Sequence, residues 1–374
     1  MAKQLLKGNS AFAEAAIRAG VEGFFGYPIT PSTEFLEHMA ARMPKLGRTF
    51  VQAESEVAAI NMVYGAVCTG KRAMTASSSP GLSLMMEGLS YIAGTELPVV
   101  IVNIMRGGPG LGNISPSQGD YFQMTRGGGH GDYFPIVLAP ATVQEAIDHI
   151  GLAFNLAEKY RSIVFVIADG NIGQMMEPAE LPPMRKLPTE FPDWAITGAK
   201  DRQANILTSI YITPRDEEPV NIRILKRWME VEKHEVRYKE YYMEDAEFVI
   251  IGFGTAGRVA LSAIRIARED GLKVGLFRPV TLAPFPTEQI EAISRRVKRI
   301  LVVEMNSGMM LEDVKAAVQG RVPVEFYGRM GGITPFPDEL LDEIHRVANN
   351  TEDVKGQERE QWLERLEKIY EGGK

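Results

Sequence analysis

The sequence predicts an α/β fold built from two parallel-sheet units. Three observations carry that reading. Short apolar runs rich in valine and isoleucine alternate with helix-length segments over most of the chain, as in parallel sheets covered on both faces. One stretch, residues 174–199, interrupts this alternation with Pro, Met and polar residues that have little period. With 374 residues, the chain can bury two cores.

Taken in order, residues 10–19 have helical spacing, with Ser10 as N-cap and Gly20 as stop. Residues 23–27 form an apolar strand ending at proline, and 32–43 a helix. A brief strand at 49–52 leads to a helix at 56–68, rich in small apolar residues and stopped by Gly70. Strand 73–76, helix 81–93, strand 98–105, strand 137–139, helix 142–160 and strand 163–168 continue the alternation. After the 174–199 connector, residues 217–242 predict a long charged helix with an apolar stripe at Ile222, Leu225, Met229 and Val236. The α/β pattern then restarts: strand 248–253, helix 256–269, strand 273–277, helix 287–297, strand 299–304 and strand 324–327. Residues 358–371 place Trp362, Leu363, Leu366, Ile369 and Tyr370 on one helical face, which is expected to dock onto the chain's own body.

The bulk numbers narrow the function. A formal charge of -7, from 41 basic and 48 acidic residues, argues against nucleic acid as the main ligand. A lone cysteine, Cys68, excludes an internal disulfide framework and a thiolate-held iron–sulfur cluster within the chain, and fits a reducing cytoplasm. The five histidines are scattered, with no metal-ligand spacing. The N-terminus lacks a secretory pattern, and the longest apolar runs are strand-length, so no membrane segment is expected.

Several residues stand out chemically. Thr30 lies between Pro28 and Pro31, whose rings restrict the backbone and hold the hydroxyl at a strand end, where α/β sheets collect ligands. Taken alone, a turn that merely stops the strand and caps the helix at Ser32 is the favoured reading. Glu56 opens an apolar helix, where the dipole favours a carboxylate. Glu54 has nearly the same claim. Arg106 ends an apolar strand and opens Gly107-Gly108-Pro109-Gly110-Leu111-Gly112. Its fork suits a carboxylate, and glycines let backbone approach a ligand. His130, in Gly127-Gly128-Gly129-His130-Gly131-Asp132, is read as satisfying backbone groups of a tight loop, and Cys68 as core. Gly252-Phe253-Gly254-Thr255-Ala256-Gly257 has the spacing of a dinucleotide fingerprint. The next strand ends at Phe277-Arg278 and lacks the ribose-binding acid, so tight packing ranks first and NADP second.

Together the motifs Tyr27–Ser32, 54–66, Ser77-Ser78-Ser79-Pro80-Gly81, 106–112, Gly129-His130-Gly131-Asp132 and 278–286 resemble the alpha subunit of the 2-oxoacid:ferredoxin oxidoreductases, over nearly the whole chain. The resemblance implies a pyrimidine-type thiamine-diphosphate domain at 1–173, a connector with the long helix at 174–243, a transketolase C-terminal-like domain at 244–350 and a final helix at 351–374. It matches Glu56, not Glu54, to the cofactor glutamate that bonds the aminopyrimidine N1′, with Tyr27 also on the cofactor. Arg106 and Thr30 match the substrate-binding pair. It further implies Mg2+ and the diphosphate on a beta subunit, [4Fe-4S] clusters on partners, gamma and ferredoxin-like delta subunits, ferredoxin as acceptor, coenzyme A as co-substrate, and no activity for the chain alone. Residues 106–112 with Gln118-Gly119-Asp120-Tyr121-Phe122 look like the 3-methyl-2-oxobutanoate subfamily, with 2-oxoglutarate as the alternative.

Overall fold

Val99–Met105 and Ile163–Asp169 are buried at every position and pair in parallel at the centre of a seven-stranded sheet. Strands that are apolar on both faces can only sit where both faces are covered. The computed structural model describes residues 3–351 and 354–371. Its first half contains β1 (Gln4–Lys7), α1 (Gly8–Arg18), β2 (Gly23–Gly26), α2 (Thr33–Arg42), β3 (Thr49–Gln52), α3 (Glu56–Cys68), β4 (Ala73–Ser77), α4 (Pro80–Gly94), β5 (Val99–Met105), α5 (Tyr121–Thr125), β6 (Ile136–Leu138), α6 (Val143–Tyr160), β7 (Ile163–Asp169), α7 (Gly170–Gln174) and β8 (Met176–Ala179). The second half contains α8 (Pro214–His234), β9 (Tyr238–Tyr241), β10 (Phe248–Ile251), α9 (Gly254–Glu269), β11 (Val274–Pro279), β12 (Thr281–Ala283), α10 (Thr287–Ser294), β13 (Arg299–Glu304), α11 (Met309–Val318), β14 (Val324–Gly328), α12 (Pro337–Asn349) and α13 (Glu358–Glu371).

The large sheet runs β12-β6-β7-β5-β4-β2-β3, and the smaller one β14-β13-β10-β11-β9. The inner strands are parallel. The parallel-sheet expectation holds for these strands, and each sheet also carries an antiparallel edge strand that the sequence reading did not include. β9 pairs antiparallel with β11, and β12 pairs antiparallel with β6. The second case joins the two halves, because Thr281 and Ala283 of the second half close the edge of the first sheet. β1 and β8 form a separate antiparallel pair.

Local chemistry explains the helix starts. The Thr142 hydroxyl caps α6 by accepting from the Glu145 N–H at 3.1 Å, and Ser55 caps α3 by accepting from Ala58 at 3.2 Å. Ser10, expected to cap the first helix, lies inside α1, whose N-cap is Lys7. The long helix ends at His234 rather than at residue 242, and residues 238–241 become β9. Its packing face is Val220 and Val231 with half-buried Ile224 and Trp228; the expected stripe residues Ile222, Leu225 and Met229 are exposed. The last helix does dock onto the body. Trp362 is buried, meets Phe326 edge-on at 4.8 Å and donates from Nε1 to the Gly328 carbonyl at 2.9 Å. Of its stripe, Leu366 is also buried, while Leu363, Ile369 and Tyr370 stay exposed. Among the described residues no helix is long and apolar enough to cross a membrane.

Candidate functional site

The C-terminal ends of β2, β4 and β5 bring the candidate residues to one edge of the large sheet. The Tyr27–Ser32 turn is held from below. The Pro31 carbonyl accepts from Asn9 Nδ2 at 2.6 Å and Gln174 Nε2 at 3.1 Å. Both amides also reach Glu34, whose other partner is Lys7 at 2.6 Å. Burial pushes the Glu34 carboxyl up, but the hydrogen bonds from Lys7, its own backbone N–H, Asn9 and Gln174 outweigh this and leave it at about 2. Ser32 Oγ donates to the Ile29 carbonyl at 2.8 Å. Thr30 is therefore fixed on an exposed rim, and Tyr27 beside it is half-exposed.

Arg106 reaches the same rim from β5. Nη1 donates to the Thr30 carbonyl and Nη2 to the Leu111 carbonyl, each at 2.9 Å. Nε is buried without a partner among the described residues. Two neutral carbonyls orient the guanidinium without neutralising it, and the orphan N–H marks a donor that is costly to leave unpaired. The glycine loop wraps this side chain. Gly112 has φ +61°, and a Cβ there would lie 1.8 Å from the Gly107 carbonyl oxygen. Asn113 Nδ2 ties the loop to the Gly331 carbonyl of the second half at 2.8 Å.

Glu56 is 6% exposed, whereas Glu54 is exposed, so burial separates two residues to which the residue pattern alone gave nearly equal claims. No described residue donates a hydrogen bond to the Glu56 carboxylate; its wall is Gly81. A Cβ at Gly81 would lie 2.7 Å from Glu56 Oε1 and 2.1 Å from Ser77 Oγ. Thr75, Ser77 and Ser78 carry buried hydroxyls with no partner among the described residues. The Glu56 carboxylate and the Ser77 hydroxyl thus both border Gly81 with no hydrogen-bond partner among the described residues.

A polar cluster that the sequence reading did not assemble joins the two ends. Asp120 accepts from Ser79 Oγ at 2.6 Å and from Asn103 Nδ2 at 2.9 Å. The Arg106 N–H donates to Ser79 Oγ at 3.0 Å, and the Ser79 N–H donates to Asn103 Oδ1 at 3.2 Å. Burial raises the Asp120 carboxyl, against the pull of Ser79, Asn103 and the Arg106 charge. Ser79 sits at φ 22°, a conformation that this cluster holds at the start of α4, two residues from Gly81. Gln118, which the sequence offers only as part of a subfamily marker, is fully buried and exchanges bonds with Met305, Phe253 and Asn306 of the second half.

Two sequence candidates fall away. The amide end of α9 in the GxGxxG segment is filled by the chain itself: Asp169 accepts from the Thr255 N–H at 3.0 Å and Thr255 Oγ1 at 2.6 Å. Gly252 and Gly257 are there for close packing, since a Cβ at Gly257 would lie 2.5 Å from the Gly252 oxygen. Arg278, the candidate for a 2′-phosphate, is buried and ion-paired with Glu145 at 2.6 Å. His130 is exposed and its side chain bonds no backbone group among the described residues, contrary to its expected loop role. Cys68 is half-buried, and burial pushes its thiol up.

A family described as "Pyruvate flavodoxin/ferredoxin oxidoreductase, thiamine diP-bdg" matches residues 14–249, and "Pyruvate:ferredoxin oxidoreductase core domain II" matches residues 246–340. This chain belongs to the 2-oxoacid:ferredoxin oxidoreductases. It is similar to the ketoisovalerate oxidoreductase subunit VorB of Methanothermobacter marburgensis, 48% identical over 94% of this chain and 100% of that protein. It is 38% identical to the 2-oxoglutarate synthase subunit KorA of Methanothermobacter thermautotrophicus, over 91% of this chain and 98% of that one. The solved 2-oxoglutarate:ferredoxin oxidoreductase from Magnetococcus marinus, with 2-oxoglutarate, coenzyme A and succinyl-CoA bound, superposes with a TM-score of 0.81 at 28% identity. That match covers 93% of this oxidoreductase subunit and 65% of the solved chain, so the subunit spans about two thirds of that neighbour's length.

Proposed function

We propose that this oxidoreductase subunit is the alpha chain that forms the aminopyrimidine and substrate half of a shared thiamine-diphosphate site, acting on 3-methyl-2-oxobutanoate. The observation that carries the reading is the buried, unpartnered Glu56 carboxylate standing against Gly81. The residues fit the cofactor: Glu56 would hold a proton at the pyrimidine N1′, Gly81 leaves room for that carboxylate, and partly exposed Tyr27 stands in the same turn as Thr30. When bound, thiamine diphosphate supplies the electron sink that lets the bond to the substrate carboxylate break. Arg106, already oriented by two carbonyls, would bind that carboxylate, and the Thr30 hydroxyl would fix it on the rim. Leu111 and Ile114 offer apolar surface on the same loop, which suits a branched side chain.

In this reading residues 1–173 are the pyrimidine-type domain, 174–243 the connector, 244–350 the transketolase C-terminal-like domain and 351–374 the closing helix, with β12 reaching back across the boundary. Mg2+ and the diphosphate belong to a beta subunit, [4Fe-4S] clusters to partner subunits of the gamma and delta kind, and coenzyme A takes the acyl group while ferredoxin takes the electrons. The lone free thiol suits a cytoplasmic protein. The test is viologen reduction by the purified complex, with coenzyme A, across a panel of 2-oxoacids. The branched substrate should give the highest kcat/KM. Glu56→Gln should lower turnover by on the order of 100-fold or more, with loss of thiamine-diphosphate affinity in a fluorescence titration. Unchanged turnover and affinity would refute the role of Glu56.

A further inference from the structure

Residues 117–121 tie the candidate site to the second half of the chain. The Gln118 side chain donates to the Phe253 carbonyl at 2.9 Å and accepts from the Met305 N–H at 3.0 Å. Its backbone N–H donates to the Met305 carbonyl at 3.0 Å, and its carbonyl accepts from Asn306 Nδ2 at 2.9 Å. Tyr121 is fully buried, and its hydroxyl donates to Asp313 Oδ2 at 2.6 Å. Asp120 lies between these two anchors, so its backbone has little freedom. Its side chain bonds the first half instead, at Ser79 and Asn103.

The Ser79 hydroxyl makes this constraint specific. A hydroxyl has one proton to give. Asp120 Oδ2 takes it at 2.6 Å, which leaves the lone pairs of Ser79 Oγ to accept the Arg106 N–H at 3.0 Å. The other acceptor in reach is the Arg106 carbonyl, at 3.5 Å, which is long for a hydroxyl hydrogen bond. Asp120 thus sets the direction of the hydroxyl, and the hydroxyl holds the backbone of the residue whose guanidinium reaches Thr30. Asn103, fully buried on β5, braces the pair: Oδ1 accepts from the Ser79 N–H at 3.2 Å, and Nδ2 donates to the same Asp120 oxygen at 2.9 Å. The backbone of Ser79 points the same way. At φ 22° glycine would be at ease, and a serine there keeps a hydroxyl at the cost of a strained conformation.

We propose that Asp120 is a positioning residue for substrate binding: through the Ser79 hydroxyl it fixes the backbone of Arg106, from a segment anchored to the second half. The proposal rests on the reading of Arg106 as the group that binds the substrate carboxylate. It gives the second half a task in substrate binding, exercised through its bonds to Gln118 and Tyr121.

The experiment uses the purified complex, with viologen reduction for KM and kcat, a thiamine-diphosphate titration and a melting curve. Asp120→Ala frees the hydroxyl to turn and should raise KM for 3-methyl-2-oxobutanoate about tenfold, with kcat within about threefold of the parent. Asp120→Asn can set its carbonyl oxygen at the Oδ2 position and keep both bonds, because Oδ1 bonds no described residue. Its KM should stay within about threefold of the parent. Ser79→Ala breaks the same link one step later and should raise KM as Asp120→Ala does; it carries the same expectation if Asp120→Ala does not assemble. Combining the two should raise KM by no more than about twofold over either alone, since both interrupt one path. A lowered melting temperature with unchanged KM would reduce the cluster to a clamp on α4 and overturn the proposal. Additive effects of the pair, or an Asp120→Asn chain as impaired as Asp120→Ala, would also overturn it. Arg106→Lys, run alongside, separates the two readings. An unchanged KM there would overturn the role of Arg106 and this proposal with it, whereas a raised KM there with an unchanged one in Asp120→Ala and Ser79→Ala would overturn this proposal alone.

Discussion

Replacing Gly81 by alanine tests the site more sharply than removing Glu56. The added methyl would sit 2.1 Å from Ser77 Oγ and 2.7 Å from Glu56 Oε1. Ordinary contact begins near 3.4 Å, so the two oxygens must retreat by about 1.3 and 0.7 Å if the backbone stays. The Ser77 hydroxyl is unpaired, and rotating it is cheap. The carboxylate has less freedom, because Glu56 is buried at the first turn of α3. Overpacking of this kind costs about 1–3 kcal/mol of stability. A displacement of just under 1 Å at a group that must align with a ring nitrogen is expected to lower turnover by on the order of 100-fold. The assay is viologen reduction by the complex, paired with thiamine-diphosphate titration and a melting curve. A second variant separates the two clashes. Gly81→Ala combined with Ser77→Gly removes the shorter contact and should recover stability but not turnover. If Gly81→Ala lost stability alone, with cofactor affinity and turnover intact, Glu56 would not be the residue facing the cofactor, and the reasoning would fail.

Three further outcomes are expected. Arg106→Lys loses the fork that spans the Thr30 and Leu111 carbonyls, and should raise KM for the 2-oxoacid by about 10- to 100-fold with a smaller effect on kcat; an unchanged KM would remove Arg106 from substrate binding. Burial pushes Glu304 up to about 7 from 4.5, against its bonds to the Met310 and Leu311 amides, so the folded state binds the extra proton. Its contribution is full below pH 4.5 and lost as pH rises through 7, on the order of 3 kcal/mol. Urea midpoints of the parent should therefore fall between pH 5 and 8 relative to those of Glu304→Gln, and parallel curves would refute it. Trp362→Ala should cost about 3–5 kcal/mol and release α13, seen as faster amide exchange at residues 358–371.

Much of the architecture was legible because it depends on periodicity. The ranges 49–52, 56–68, 299–304 and 358–371 match the observed elements residue for residue. What was not legible depends on pairing between distant segments. Residues 238–241 follow a helix with the same charged composition, and only the edge of β11 makes them a strand. β12 is three residues long and has no signal beyond its partner β6. Thr30 and Arg106 were read as separate candidates, and the structure brings them together through one backbone hydrogen bond. The difference between Glu54 and Glu56 is a difference in burial at a helix start, and the residues alone do not encode it. Ser79 and Asp120 entered only as members of two separate motifs and Asn103 not at all, because hydroxyl, amide and acid at spacings of 24 and 17 residues form no cluster until the chain folds.

The reach of Thr281–Ala283 back to Ile136–Leu138 has a consequence for anyone cutting this chain in two. A fragment ending at the connector would leave the hydrogen-bonding groups of Ile136–Leu138 bare on one side, beside apolar side chains that are fully buried in the intact protein. Such an exposed, uncharged rim invites strand addition from neighbouring molecules. The halves should therefore be expressed as one polypeptide, or mixed while both are still unfolded.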